Sequence, residues 1–126
     1  MISCLTIASS PNRGRGVFTT KGLKKGTVLE KSPVIVLTEE ERKIAEQTLL
    51  YHYLFEWGKD EKEAALALGY VSLYNHSYDA NCEYEMDFNK KIMTVKTVRD
   101  IQKGEELFLN YNAVHDDKTQ IWFQAE

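Results

Sequence analysis

Asn75, His76 and Ser77 are the polar residues best placed to do chemistry, because they follow an apolar stretch as three adjacent groups. Their side chains and backbone can both donate and accept hydrogen bonds, which suits a binding site and equally suits a capped turn. The triplet also matches the N-glycosylation sequon, but nothing else in the sequence indicates secretion.

A second pattern, Gly14-Arg15-Gly16, could let a ligand approach the backbone closely, since glycine has no side chain. It lacks the third glycine of a dinucleotide fingerprint, and no Gly-Lys-Ser/Thr phosphate loop follows it. A cradle for nucleotide phosphates is therefore disfavoured, and taken alone this Gly-x-Gly pattern favours a plain turn.

The histidines and cysteines lack the spacing of a metal site or a hydrolase. His52, His76 and His115 are not four residues apart, and Cys4 and Cys82 form no close pair. We therefore expect no zinc site, no disulfide framework, and two thiols in a reducing compartment. Seven tyrosines are more unusual, although a buried, hydrogen-bonded phenol is the ordinary explanation of any one of them.

Short strands joined by tight turns must position these residues. Strands are predicted at residues 17–20, 27–29 and 34–37, the last after Pro33, and at residues 107–109. Residues 82–88 and 92–98 should form a hairpin around a turn at Asn89-Lys90. The repeated pattern of an apolar residue three positions before a glycine, at Leu23 and Ile101, predicts two turns in which Gly26 and Gly104 take a positive φ.

One helix is predicted with a clear start. Thr38 and Glu41 fit a capping box, so a helix of about two turns should begin there. Residues 49–57 fit a strand or a helix, and residues 61–68 have helix-forming composition. The apolar cluster Ile121-Trp122-Phe123 predicts that the polar C-terminal stretch ends in a docked tail.

The length of 126 residues predicts a single domain, residues 1–126, with enough core to fold without disulfides. No stretch approaches the ~18 apolar residues of a membrane span. With 16 Lys and Arg against 19 Asp and Glu, the net charge of −3 argues against direct nucleic-acid binding and suits a basic protein partner. We expect a soluble protein in the cytoplasm, or in the nucleus, including a host nucleus, if the source is a eukaryote or a virus.

Three ordered motifs together resemble those of SET-domain protein lysine methyltransferases. They are residues 14–18 (GRGVF), residues 73–81 (LYNHSYDAN) and residues 99–111 (RDIQKGEELFLNY). Their order and spacing agree with the family over residues 14–111, and the small size resembles the minimal stand-alone SET proteins of large DNA viruses and some bacteria. Residues 112–126 would then form a C-terminal lid or tail.

The resemblance implies a mostly β fold of the β-clip type, with small curved sheets, one or two short helices and a C-terminal pseudoknot beside Asn75-His76. It implies transfer of methyl groups from S-adenosylmethionine to a lysine ε-amine, leaving S-adenosylhomocysteine. The substrate would be a basic protein segment, such as a histone tail or another DNA-associated protein. A homodimer is possible by the same analogy.

The resemblance also assigns roles to particular residues. Tyr111 matches the catalytic tyrosine, and Tyr53 resembles a second tyrosine near the transfer axis, with Tyr51 as the alternative. The implied cofactor-binding residues are Gly14, Arg15, Gly16, Asn75, His76 and, as a lid over the adenine, Trp122. Tyr74 and Leu109 are expected in the substrate channel. Leu109 cannot hold the water that favours monomethylation, so di- and trimethyl products are expected.

Three positions depart from the family pattern: Ala80 replaces a common proline, Asn110 a common aspartate, and Tyr78 a cysteine that binds zinc in some members. Two alternatives stay open. A non-catalytic SET-like module could bind a peptide in the same groove, or an unrelated β-rich domain could carry the motifs by chance. Asn75, His76 and Tyr111 together favour an enzyme, since a pure binder needs no cofactor contacts.

Overall fold

Nine strands, one α-helix and two 3₁₀ helices make up the fold in a computed structural model, which describes residues 1–11 and 13–111. The helix α1 spans Glu39–Ala45, and the 3₁₀ helices span Leu49–Tyr53 and Val71–Leu73. The strands are β1 Leu5–Ser10, β2 Gly14–Thr19, β3 Val28–Leu37, β4 Leu54–Trp57, β5 Glu63–Ala67, β6 Asn75–His76, β7 Cys82–Asp87, β8 Ile92–Thr97 and β9 Glu106–Leu109. The fold is thus mostly β, as expected.

The strands form one curved, open sheet in the order β1-β2-β9-β7-β8-β3-β5-β4, with β6 paired to β9. The neighbours are antiparallel except where β9 runs parallel to β6 and β7. The last strand of the described residues, β9, therefore lies between the first hairpin and β7. This arrangement brings the C-terminal end of β9 beside Asn75-His76, where the resemblance placed the C-terminal segment.

The strand β3 is longer than the sequence predicts. Pro33 separates two expected runs, yet Val28–Leu37 is continuous because the strand changes partners at that residue. The first half pairs with β8 as far as Pro33, and the second half pairs with β5 from Val34 onward. Proline has no backbone N–H to donate, and a change of partner tolerates that loss.

The predicted capping box, hairpin and glycine turns are confirmed. Thr38 Oγ1 accepts from the Glu41 N–H at 3.2 Å, and the Glu41 carboxylate accepts from the Thr38 N–H at 2.9 Å. The strands β7 and β8 form the expected hairpin. Gly26 and Gly104 have φ values of 85° and 88°. Their two turns also meet, through a bridge in which Leu23 and Ile101 exchange backbone hydrogen bonds of 2.8 Å.

The helix predicted from the composition of residues 61–68 is wrong, because the segment forms β5. Its small side chains Ala64, Ala65 and Ala67 are buried, and the strand is paired on both sides by β3 and β4. Pairing on both sides outweighs the helix propensity of alanine, which is the highest of any residue but amounts to less than about 1 kcal/mol per position. Residues 49–57 divide into a 3₁₀ helix and β4, so both interpretations hold for part of the segment.

The core lies along the centre of the sheet, on β9 and the strands around it. Val17, Leu29, Val95 and Leu107 are fully buried there. Within the described ranges, no helix is long and apolar enough to cross a membrane.

Candidate active site

A polar cluster forms where β2, β6 and β9 meet. The side-chain amide of Asn75 donates to the Glu106 carboxylate at 2.7 Å and to the Arg15 carbonyl at 3.1 Å. A Cβ placed on Gly16 would run into that carboxylate and the Asn75 amide nitrogen. The absence of a side chain at Gly16 therefore lets three strands bring these groups together, whereas Gly14 has open space around it and ends the β1–β2 turn.

Glu106 belongs to this cluster, although the sequence analysis assigned it no role. Its second carboxylate oxygen accepts from the Ser10 hydroxyl at 2.6 Å, so the carboxylate joins β1 to β6 across β9. The sequence held one indication of it: Glu106 lies inside the third motif, directly before the apolar strand residues. Only the strand pairing reveals that it faces Asn75 and Gly16.

Arg13 places a positive charge beside the same cluster. Its guanidinium donates to the His76 carbonyl and lies over the Phe108 ring, 5.5 Å from the centroid. A cation over an aromatic face gains electrostatic attraction and is held in place. The site therefore presents a cation, Arg13, and an anion, Glu106, on neighbouring strands and turns.

His76 turns its ring into the protein. Its Nδ1 accepts from the Tyr111 backbone N–H at 3.0 Å, so the neutral ring carries its proton on Nε2. Burial, and then the charge of Arg13, lower the pKa of His76, which keeps the ring neutral. Among the described residues nothing accepts a hydrogen bond from Nε2, which is itself buried. A buried donor of this kind is costly unless another group meets it.

Tyr111 is held at three points. Its hydroxyl donates to the Tyr74 carbonyl at 2.6 Å, its carbonyl accepts from the Tyr84 hydroxyl at 3.0 Å, and its N–H meets His76. The ring packs edge-on against Phe55, with centroids 6.1 Å apart. Burial raises the pKa of Tyr111 to about 12, although Arg13 opposes the shift, so the phenol is protonated at neutral pH.

The aromatic side of the site consists of Phe55, Tyr84, Tyr111 and Tyr53. The Phe55 and Tyr84 rings meet edge-on with centroids 5.2 Å apart. Tyr53 is near enough to contribute to the raised pKa of Tyr111. Tyr51 instead packs its ring edge-on against His52, at 5.3 Å. The choice between Tyr53 and Tyr51 as the second tyrosine of the site stays a prediction.

The two residues expected in the substrate channel are fully buried. The Tyr74 hydroxyl donates to Glu30 at 2.7 Å, and burial, followed by the charge of Glu30, raises the pKa of Tyr74. Tyr74 thus meets Tyr111 through its backbone carbonyl. Leu109 lies in β9 opposite His76 and Cys82. The expected lid residue Trp122 lies outside the described residues, as does the rest of the tail.

Among residues 1–11 and 13–111, no three His, Cys, Asp or Glu side chains are grouped to hold a metal ion. The predicted residues Arg15, Gly16, Asn75, His76 and Tyr111 do come together, since each hydrogen-bonds or closely approaches another of them. Sequence reasoning missed Arg13, Glu106, Phe55 and Tyr84, whose roles depend on contacts between distant segments.

Comparisons with known proteins agree on one family. A sequence model described as the SET domain matches residues 14–112. A histone-lysine N-methyltransferase of Schizosaccharomyces pombe, specific for H3 lysine-37, is 30% identical over 125 residues, which cover 98% of this chain and 80% of the relative.

Solved structures give the same result. A Plasmodium falciparum protein named as a candidate histone methyltransferase superposes with a TM-score of 0.68 at 30% identity, covering 88% of this chain and 95% of the other. A chain of ctPRC2, in an autoinhibited conformation bound to S-adenosylmethionine, has a TM-score of 0.72 at 19% identity. That match covers 88% of this chain but 15% of the larger one, and it supports the fold alone.

Proposed function

The chain belongs to the SET-domain family of protein-lysine methyltransferases, and we propose that it uses S-adenosylmethionine to methylate a lysine in a basic protein segment. The observation that carries the proposal is the setting of Tyr111. Its protonated hydroxyl lies against the Tyr74 carbonyl, with aromatic rings around it and the Asn75 cluster on the adjoining strand.

The chemistry of Tyr111 follows from that hydrogen bond. Because its proton is committed to Tyr74, the phenol oxygen acts toward a third group as an acceptor. A hydrogen-bond acceptor holds the lysine amine by the N–H groups of that amine. The nitrogen lone pair then points away from the phenol oxygen. With its pKa raised to about 12, Tyr111 is a poor general base at neutral pH, so its contribution is orientation.

The aromatic rings around Tyr111 favour the neutral, nucleophilic form of the substrate lysine. A lysine amine is nucleophilic only when neutral, and its reference pKa is ~10.4. Phe55, Tyr84 and Tyr53 exclude water around Tyr111, which disfavours the ammonium form. The same rings attract an approaching cation by cation–π contact, worth ~0.5–2 kcal/mol. The lysine can therefore enter as the ammonium and react as the neutral amine.

The polar cluster suits the two charged ends of an amino acid. S-adenosylmethionine supplies a methyl group activated on a sulfonium. We expect Arg13 to bind its carboxylate, and the Glu106 carboxylate with Asn75 to bind its ammonium. The buried Nε2–H of His76 is a further donor that a bound molecule would satisfy. Gly16 and the Arg15 backbone would border the same molecule, together with Trp122 if the tail forms a lid.

The substrate follows from charge and from the relative. The chain carries a net charge of −3, and the fission-yeast relative acts on lysine 37 of histone H3. A histone tail or a similar basic segment is therefore the proposed substrate. Leu109 is buried and supplies no hydroxyl to hold a water that would keep the methylated amine from turning, so di- and trimethyl products are proposed.

The test is a transfer assay with tritiated S-adenosylmethionine and a panel of basic proteins that includes histone H3. We expect label on a lysine of at least one histone, and loss of that label in an Asn75→Ala variant that keeps its fold. Calorimetry with the cofactor alone separates the steps. Cofactor and peptide binding without label would identify a binding module, and no cofactor binding by the full chain would reject the proposal.

A further inference from the structure

Glu30 is a carboxylate that lies inside the protein, only 2% exposed, near the start of β3. Burying a carboxylate is costly unless it is well hydrogen-bonded or paired with a cation. None of the ion pairs formed by the described residues includes Glu30. Hydrogen bonds must therefore compensate for the burial of this carboxyl group.

Three donors converge on Glu30. One carboxylate oxygen accepts from the Ser32 hydroxyl at 2.6 Å and from the Tyr70 backbone N–H at 3.0 Å. The other accepts from the Tyr74 hydroxyl at 2.7 Å. Tyr70 and Tyr74 flank the 3₁₀ helix Val71–Leu73, so a single carboxylate holds both ends of this turn.

The turn leads directly to Tyr111. Tyr74 ends it, and the carbonyl of the same residue accepts the Tyr111 hydroxyl at 2.6 Å. A carbonyl oxygen has no proton to pass on, so this connection cannot relay protons from Tyr111 to Glu30. It can only fix where the Tyr111 hydroxyl lies and which way its proton points.

We propose that Glu30 is a positioning residue for methyl transfer: through Tyr74 it fixes the carbonyl that orients the Tyr111 hydroxyl. This inference rests on the proposed function, because it concerns the same tyrosine. It gives a reason for a carboxyl group that is buried with no cationic partner among the described ion pairs. The cost of burial is offset by a turn held rigidly beside the reacting groups.

The test compares two substitutions that each remove one donor to Glu30. Tyr74→Phe removes the donor that lies on the route to Tyr111, and Ser32→Ala removes a buried donor that does not. Since a displacement of about 1 Å can cost on the order of a hundredfold in rate, we expect Tyr74→Phe to lower kcat by about tenfold or more. Ser32→Ala should keep kcat within about twofold, and neither should change the KM for S-adenosylmethionine by more than that.

Combining each substitution with Tyr111→Phe distinguishes a positioning role from a purely structural one. If Glu30 and Tyr74 act through the Tyr111 hydroxyl, Tyr74→Phe should lower kcat little further once that hydroxyl is gone. Equal losses in both backgrounds would overturn the proposal. So would a Ser32→Ala variant that loses as much kcat as Tyr74→Phe. Glu30→Gln, if it folds, should behave as Tyr74→Phe does.

A second readout needs no activity. In protein labelled with ¹³C at the tyrosine ζ carbon, the Tyr111 signal is assigned by its absence in Tyr111→Phe. We expect this signal to shift in Tyr74→Phe and stay in place in Ser32→Ala. A shifted signal in a protein without transferase activity would support the connection while rejecting the proposed function. An unshifted signal in Tyr74→Phe would overturn the connection itself.

Discussion

Replacing Tyr111 by phenylalanine should separate catalysis from stability. The substitution removes one hydroxyl and leaves the ring, so the edge-on contact with Phe55 and the backbone bonds to His76 and Tyr84 persist. The substitution removes the 2.6 Å hydrogen bond from the hydroxyl to the Tyr74 carbonyl. Losing a hydrogen bond and leaving the carbonyl of a buried residue unpaired costs about 1–2 kcal/mol in stability.

The effect on the reaction should be larger than the effect on stability. Without the hydroxyl, the phenol oxygen proposed to orient the lysine amine is lost, and orientation of that order is worth roughly a hundredfold in rate. A hundredfold loss corresponds to about 2.7 kcal/mol in the barrier. It should fall on kcat, with the KM for S-adenosylmethionine nearly unchanged, because Asn75, Gly16 and Glu106 are untouched.

The assay is steady-state methyl transfer with saturating cofactor, together with thermal unfolding and cofactor calorimetry on the same preparations. The pH profile adds a check of mechanism. Activity should rise with pH as the substrate lysine loses its proton. Because burial raises the pKa of Tyr111 to about 12, Tyr111→Phe should lower the whole curve without changing its shape. Wild-type turnover in the variant, or a profile that loses an ionisation below pH 9, would refute this reasoning.

Three further outcomes are expected. Gly16→Ala should abolish cofactor binding in calorimetry, because its Cβ would meet the neighbouring carboxylate and amide, whereas Gly22→Ala, whose nearest contact would be 3.6 Å, should bind normally. Leu109→Tyr should shift the products seen by mass spectrometry from di- and trimethyl toward monomethyl lysine; unchanged products in a folded variant would show that Leu109 does not limit methylation. The pKa of His76 is lowered by burial and Arg13, so the native state binds this proton less well than the unfolded chain, and stability should fall as pH drops below 6.5 toward the lowered pKa. Thermal melts should show that His76→Asn weakens this pH dependence; an unaltered dependence would assign it to another group.

The local features of this protein follow from short stretches of its sequence. Three of these features are present in the structure: the capping box at Thr38, the hairpin whose turn contains Asn89, and the positive φ of Gly26 and Gly104. Each depends on only a few neighbouring residues. The ordered motifs were enough to indicate the family, because their chemistry lies in short runs. The placement of Trp122 and the product state stay predictions.

Tertiary structure decided what depends on distant pairing. The alanines of β5 have helical propensity, yet two neighbouring strands hold the segment extended. Glu106 joins Ser10 and Asn75 only because β9 inserts between β2 and β7. The sequence also gave no sign that Glu30 is buried, or that Tyr74 connects it to Tyr111. A local pattern records the preference of a segment, whereas a hydrogen bond between residues 44 positions apart exists only once the sheet has formed.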